Sequence, residues 1–273
     1  MSDQYLATRR WPAGAAVRAV DDSARSMAEV ALLDCDAYVG AHPALACANE
    51  AAELIAEMNR TGIAAAVVTH HQAMWHSAAA GNEAVLSACA TTDRLRPAWV
   101  LLPSTCQELP PAKDYIAEGV ERGVVAFRVC PADNVFSLIE TGSDEFLEEL
   151  QWRRLPLLVD ADQVPHPDLI RLADGYPELP IILCRVGYRS LRRIAGLLNR
   201  AVNVHLDLAN LSSQNAIGWL TQRFSVERLV FGTATPVRDP AEAVANLMLS
   251  ELSDQEVAVV GRDNARRLFG WSW

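Results

Sequence analysis

Between Ala31 and Pro236, eight short apolar runs alternate with amphipathic stretches, and this rhythm limits the fold more than any other feature of the chain. The runs are ALLDCDAY, AAAVVTHH, AWVLLP, GVVAFRVCP, LPLLVDAD, LPIILCRVG, VNVHLDL and RLVFGTATP. Helical patterns lie between them at Asn49–Arg60, Asn82–Thr92, Ala112–Arg122, Ser143–Arg153, Pro167–Tyr176, Arg189–Leu198 and Ser212–Phe224. Nearly continuous apolar strands are what a parallel sheet buried on both faces requires. Strict strand–helix alternation implies right-handed crossovers. Eight such units predict an α/β fold of the closed (β/α)8 type, the TIM barrel. An open doubly wound sheet would usually carry a glycine-rich phosphate turn after its first strand, and DCDAYVGAHP is not G-x-G-x-x-G. With 273 residues, 51% of them hydrophobic, the chain can bury one large core. Residues 1–29 read as a polar N-terminal extension and residues 30–273 as one barrel domain. The tail from Pro240 to Trp273 is expected to form two helices, with WSW covering apolar surface.

A net charge of −10 argues against nucleic acid or an anionic membrane as the main partner. It leaves room for a small anionic substrate in a locally basic pocket. Cys35, Cys47, Cys89, Cys106, Cys130 and Cys184 are scattered without a C-x-x-C pair, which speaks for free thiols in a reducing, cytoplasmic setting. The start MSDQYLATRRWPAG lacks the apolar segment of a leader peptide. No apolar run reaches the roughly 18 residues of a membrane span.

In a barrel of this kind, chemistry sits at the C-terminal ends of the strands. The first strand ends on Asp34, Asp36 and Tyr38, which strict alternation puts on one face. The second supplies Thr69, His70 and His71, of which alternation points at most one histidine into the pocket. Arg128 and Cys130 close the fourth strand, Asp160 the fifth, Arg185 the sixth, His205 and Asp207 the seventh, and Thr233 and Thr235 the eighth. Charges gathered in so confined a place must be paired.

From about Leu32 to Gly270 these segments resemble, in order and spacing, the amidohydrolase superfamily, in its amidohydrolase 2 branch of aminocarboxymuconate-semialdehyde decarboxylase-like proteins. LLDCDAYVGAHP resembles that branch's first-strand Asp-x-His-x-His motif, and GNEAVLSACATTDRLRPAWVLLP its Asn…Asp-Arg stretch before the third strand. LPIILCRVG, RLVFGTATP and DNARRLFGW are similar to its sixth strand, eighth strand and C-terminal motif. The resemblance implies a hydrolase or decarboxylase fold, commonly a homodimer, with a divalent metal at the barrel mouth. The chain departs from it at the ligands. The two metal-binding histidines of the first strand fall on Asp36 and Tyr38. The fifth-strand histidine falls on Asp160, the sixth-strand histidine on Arg185 and the eighth-strand aspartate on Ala234. Arginine cannot ligate a cation, so neither a catalytic metal nor another cofactor is expected.

The expected chemistry is acid–base: hydrolysis, decarboxylation or another lyase step on a small organic acid. Asp36, Asp160 and Tyr38 are the candidate catalytic groups, with Asp36 and Asp160 close enough that one carboxyl holds its proton. Arg128 and Arg185 are the candidate clamp for the anion, with His70, His71, His205 and Thr233 as further substrate-binding candidates. Each also has a structural reading: salt bridges tying the mouth together, satisfied buried histidines, a turn before Pro236. Asp34 reads as structural. Cys130 is a weaker nucleophile candidate, lacking an identifiable histidine partner. Two rival readings remain open. One is a catalytically inactive barrel that binds a ligand or protein. The other is a metal relocated onto His70 or His71, His205, Asp207 and Asp160.

Overall fold

The computed structural model describes residues 30–45, 50–139, 142–213 and 215–271. The proposed N-terminal extension and the last two residues of WSW lie outside them. Eight parallel strands run in sequence order around one sheet. They are β1 (Leu32–Val39), β2 (Ile63–His70), β3 (Leu95–Val100), β4 (Ala126–Val129), β5 (Leu157–Asp160), β6 (Ile181–Cys184), β7 (Val204–Asp207) and β8 (Leu229–Val230). The ends of β8 and β1 meet through Cys35 N–H to Phe231 O (2.8 Å), Ala234 N–H to Asp36 O (2.7 Å) and Tyr38 N–H to Thr235 O (2.8 Å). The (β/α)8 architecture expected from the alternation is therefore present. Gly232 permits this closure: a Cβ there would lie 3.0 Å from Cys35 Sγ and 3.2 Å from Asp207 Cγ.

The helices fall close to their expected places, among them Ala51–Thr61, Ala78–Cys89, Ala112–Glu121, Asp144–Arg153, His166–Gly175, Leu191–Arg200 and Ala216–Phe224. Local chemistry sets their ends. Glu50 and Glu53 form a reciprocal capping box at the first of these helices, and Asp239 accepts from Ala241 N–H where Pro240 opens the helix Pro240–Met248. Trp99 of β3 stacks on Tyr115 at 4.6 Å and donates to Asn82 O at 3.1 Å. Asn82 in turn takes Val100 N–H and donates to Val100 O and Tyr115 Oη, locking two helices to β3.

Inside the barrel, the small Ala65, Ala98 and Ala126 of β2–β4 oppose the larger Leu158 and Ile182 of β5 and β6. The C-terminal segment, which runs through Asp254–Ala258 and a π-turn into the helix Asn264–Phe269, packs Leu268, Phe269 and Trp271 against these interior side chains. The N-terminal end of the barrel is thereby plugged by apolar groups, and the Asp–Arg cluster lies towards the other end.

Candidate functional site at the barrel mouth

The site begins with an irregularity in β1. Asp34 is in register with Ala66 and Ala37 with Val68, so three steps on β1 match two on β2. This is a β-bulge, and it changes which side chains share a face. Asp34 stays on the row of Leu32, facing the helices, while Cys35 and Asp36 both turn inward and Tyr38 returns to the interior. The single face predicted for Asp34, Asp36 and Tyr38 is thus corrected. The Asp34 carboxylate instead accepts Asp36 N–H and Thr233 N–H, each at 3.0 Å, and the Thr233 hydroxyl. It ties β1 to β8, and burial pushes its pKa up to about 7 against the pull of Thr233.

Arg128, 1% exposed, occupies the centre. Its Nη1 donates to Asp160 Oδ1 at 2.8 Å, its Nη2 to Asp36 Oδ1 and its Nε to Thr69 Oγ1 at 3.2 Å. Its guanidinium carbon lies 5.1 Å from the centre of the Tyr38 ring, a cation–π contact. The second oxygen of Asp160 accepts Arg185 Nη1 at 3.0 Å. Arg185 follows β6 with a left-handed φ of 59°, and its side chain remains 36% exposed. Burial pushes the Asp160 carboxyl up, with Arg128 pulling against it. Burial also pushes the Tyr38 phenol well up, keeping it protonated.

The carboxyl expected beside Asp36 was that of Asp160, yet Arg128 stands between those two. The neighbour in contact with Asp36 is Asp207 of β7. Oxygens of Asp36 and Asp207 and Sγ of Cys184 lie within 4.8 Å of one another, all three residues buried. Burial, followed by the charge of Asp36, drives the Asp207 pKa well up.

His71 starts the short helix His71–Trp75 rather than continuing β2. Its Nδ1 is 2.9 Å from Gly40 O. A carbonyl only accepts, so Nδ1 carries the hydrogen and Nε2 is bare. Burial lowers its pKa to about 4. The ring stacks on Tyr38 at 5.0 Å, and His42 and Trp75 pack on its other side. Trp75 donates to Asp133 Oδ2 at 3.0 Å and, with Met74, Leu102, Asn134 and Phe136, borders a cavity of about 260 Å³ in the loops after β2, β3 and β4.

Three expected participants are engaged elsewhere, and a fourth, Cys130, stays near Arg128 and Asp160 without the chemistry of a nucleophile. His70 turns its Nδ1 to Gln72 N–H at 3.1 Å and caps the short helix. The Thr233 hydroxyl is engaged by Asp34 and by Thr235 Oγ1. His205 lies two residues below Asp207 along β7, with its Nδ1 3.1 Å from Glu227 O and Arg228 and Arg267 nearby, towards the plugged end. Burial pushes the Cys130 thiol up to about 12, which leaves it a poor nucleophile at neutral pH. Two residues at the site had been given no role beside Asp36 or Tyr38. Asp207 was legible as a polar strand end on the inward parity of β7. His42 stood in the GAHP turn, where only the packing reveals it.

A closed barrel with its charged groups at the C-terminal mouth defines a (β/α)8 protein of the kind that carries enzyme sites. Within that class, the chain belongs to the amidohydrolase family, whose model matches residues 37–271. No curated protein matches the sequence. The fold is similar to 5-carboxyvanillate decarboxylase from Sphingomonas paucimobilis, with 13% identity over 89% of this chain and 100% of that one and a TM-score of 0.71. It is similar to 5-carboxyvanillate decarboxylase from Novosphingobium aromaticivorans complexed with manganese and 4-hydroxy-3-methoxy-5-nitrobenzoic acid (16%, 89% and 96%, TM-score 0.70). It is also similar to a probable 2-pyrone-4,6-dicarboxylic acid hydrolase from Acinetobacter baumannii with citric acid bound (16%, 88% and 100%, TM-score 0.68).

Proposed function

We propose that this chain is an amidohydrolase-family enzyme that acts on a small organic acid by acid–base chemistry without a divalent metal. The observation that carries the reading is the place of Arg128. Its guanidinium donates to both Asp36 and Asp160, the two carboxylates that stand at first- and fifth-strand positions where relatives of the resemblance carry metal-binding histidines. A permanently protonated guanidinium cannot ligate a cation and repels one placed beside it. The remaining positions, Tyr38, Arg185 and Ala234, add a phenol that stays protonated, a second cation and a methyl group. This donor set does not fit manganese or zinc.

In this reading Arg185, 36% exposed and, among the described residues, bonded through Nη1 alone, holds the carboxylate of the acid through its remaining N–H groups. Tyr38, His71 and Trp75 form the wall beside it. Asp36 and Asp160 move protons, and the paired guanidinium groups stabilise the charge that develops on an oxyanion or enolate. The relatives' names, two decarboxylases and a probable hydrolase acting on carboxylated rings, support decarboxylation or hydrolysis on an anionic substrate. Neither nucleic acid nor a membrane enters the reading: the net charge is −10, and among the described residues no helix is long and apolar enough to cross a membrane. A homodimer, by analogy with the resemblance, in the reducing cytoplasmic setting suggested by the scattered cysteines completes it.

One observation favours the rival reading, a barrel that binds without turnover: Asp36, Arg128 and Tyr38 are each 2% exposed or less. Turnover of a panel of small aromatic and aliphatic carboxylic acids by chelator-dialysed protein separates the readings. Decarboxylation or hydrolysis that survives chelation and is lost in Arg185→Ala is the expected result. Turnover abolished by chelation and restored by Mn²⁺ overturns metal independence. Binding of an acid with no turnover in any form supports the inactive barrel.

A further inference from the structure

The centre of the barrel contains two carboxyl groups that face each other without a donor between them. Oδ2 of Asp36 and Oδ2 of Asp207 are both buried, with no hydrogen-bond partner among the described residues. The other oxygen of each is in use: Asp36 Oδ1 accepts from Arg128 Nη2, and Asp207 Oδ1 accepts from Ala209 N–H. Two ionised carboxylates in such contact, cut off from water, repel strongly and leave both lone-pair sets unsatisfied. One proton between them removes both problems.

We infer that Asp36 and Asp207 share a single proton, carried by Asp207, and that this acid pair together with the Arg128 guanidinium fills the space at the centre of the barrel that a divalent cation would take. The charge count agrees. Asp36 and Asp160 are matched by Arg128 and Arg185, so an ionised Asp207 would leave an uncompensated negative charge inside the barrel. The surroundings of Asp207 decide which carboxyl keeps the proton. From β1 it meets Asp36 and Cys35, from β6 Cys184, and at longer range Asp160 of β5. Beside it, just past the end of β8, is Gly232, which brings no charge. Arg128 reaches Asp36 directly and so favours the charge on that partner. A cation bound by Asp36, Asp207 and Cys184 would need the Cys184 thiol ionised. Burial pushes that thiol well up, and Arg128 Nη2 already lies 3.9 Å from its sulfur.

The inference concerns how charge is held inside the fold and stands whether or not the protein turns over a substrate. Asp207→Asn replaces the protonated acid by a neutral amide that still offers Asp36 an N–H donor. The infrared spectrum of the wild type near pH 9, about two units above the about 7 of Asp34, should show a carbonyl band of a protonated carboxylic acid, and Asp207→Asn should lack it. The melting temperature of the variant relative to wild type should rise as pH goes from about 5 to about 9. A group whose folded pKa is raised contributes stability below its unfolded pKa and loses it as pH climbs to the folded value, and the amide has no such loss. If Asp207→Asn does not fold, wild type labelled with ¹³C at the aspartate carboxyl decides the matter, because one side-chain carboxyl resonance should remain that of the acid form near pH 9. No protonated carboxyl near pH 9 overturns the inference. So does a melting temperature that excess Mn²⁺ or Zn²⁺ raises in wild type and not in Asp207→Asn.

Discussion

Arg128→Met tests the centre of the structure most directly, because it removes a charge while keeping a side chain of similar reach. The guanidinium makes two charge-assisted bonds, to Asp36 and to Asp160, and one to the Thr69 hydroxyl. Bonds to charged groups contribute about 1.5–3 kcal/mol each, so the two carboxylate bonds together come to roughly 3–6 kcal/mol. Breaking one side of a buried ion pair costs about 3–5 kcal/mol, because Asp36 loses its cation inside the barrel while Asp160 keeps only Arg185. For a chain of 273 residues, at about 2–4 °C of melting temperature per kcal/mol, this is a fall of roughly 6–20 °C. The cost should depend on pH. Burial already pushes the Asp160 carboxyl up and Arg128 pulls against it, so without Arg128 it rises further, and the variant is penalised most near neutral pH and least in acid, where Asp160 takes up its proton. Adding Asp36→Asn and Asp160→Asn should recover much of the loss, since the uncompensated charges are then gone. Thermal and urea unfolding across this pH range is the assay. A loss under about 1 kcal/mol at pH 7, or a triple variant less stable than Arg128→Met, refutes the reasoning.

Two further outcomes follow from the mouth. Gly40 has φ of +82°, and a Cβ there would lie 2.4 Å from His70 Cε1; Gly40→Ala should therefore cost about 1–2 kcal/mol in urea unfolding, and an unchanged midpoint would contradict this. His71 has a folded pKa lowered to about 4 by burial, so its contribution to stability shrinks as pH falls from about 6.5 towards 4, by up to about 1.4 kcal/mol per unit. His71→Gln should flatten that slope, and ring nitrogen NMR should show the hydrogen fixed on Nδ1 from about pH 5.5 to 8; a ring titrating near 6.5 would refute the assignment.

The strands were legible because an apolar run buried on both faces needs no knowledge of its neighbours. The helices were legible for a similar reason, and their ends shifted by only a few residues where caps such as Glu50 and Asp239 set them. The candidate polar groups were legible as a set, because each closes its own strand. Their partners were not. His70 and His71 were read as strand residues, yet a helix begins between them, so one became a cap and the other a wall of the mouth. His205 and Asp207 share a parity on β7, but the two-residue step separates the plugged end of the barrel from its centre.

What the sequence by itself determined is the barrel: eight buried strands, the helices between them, and charge gathered at one end, all written in periodicity that spans a few residues. Tertiary structure alone decided how that charge is arranged. One extra residue in β1, opposite β2, moved Asp34 out of the site and Asp36 into it. Closure of the ring then set Asp36 against Asp207 and put Arg128 between Asp36 and Asp160. Buried charges interact according to distances across the barrel, and those distances join residues far apart in the chain, so no local pattern could have fixed them.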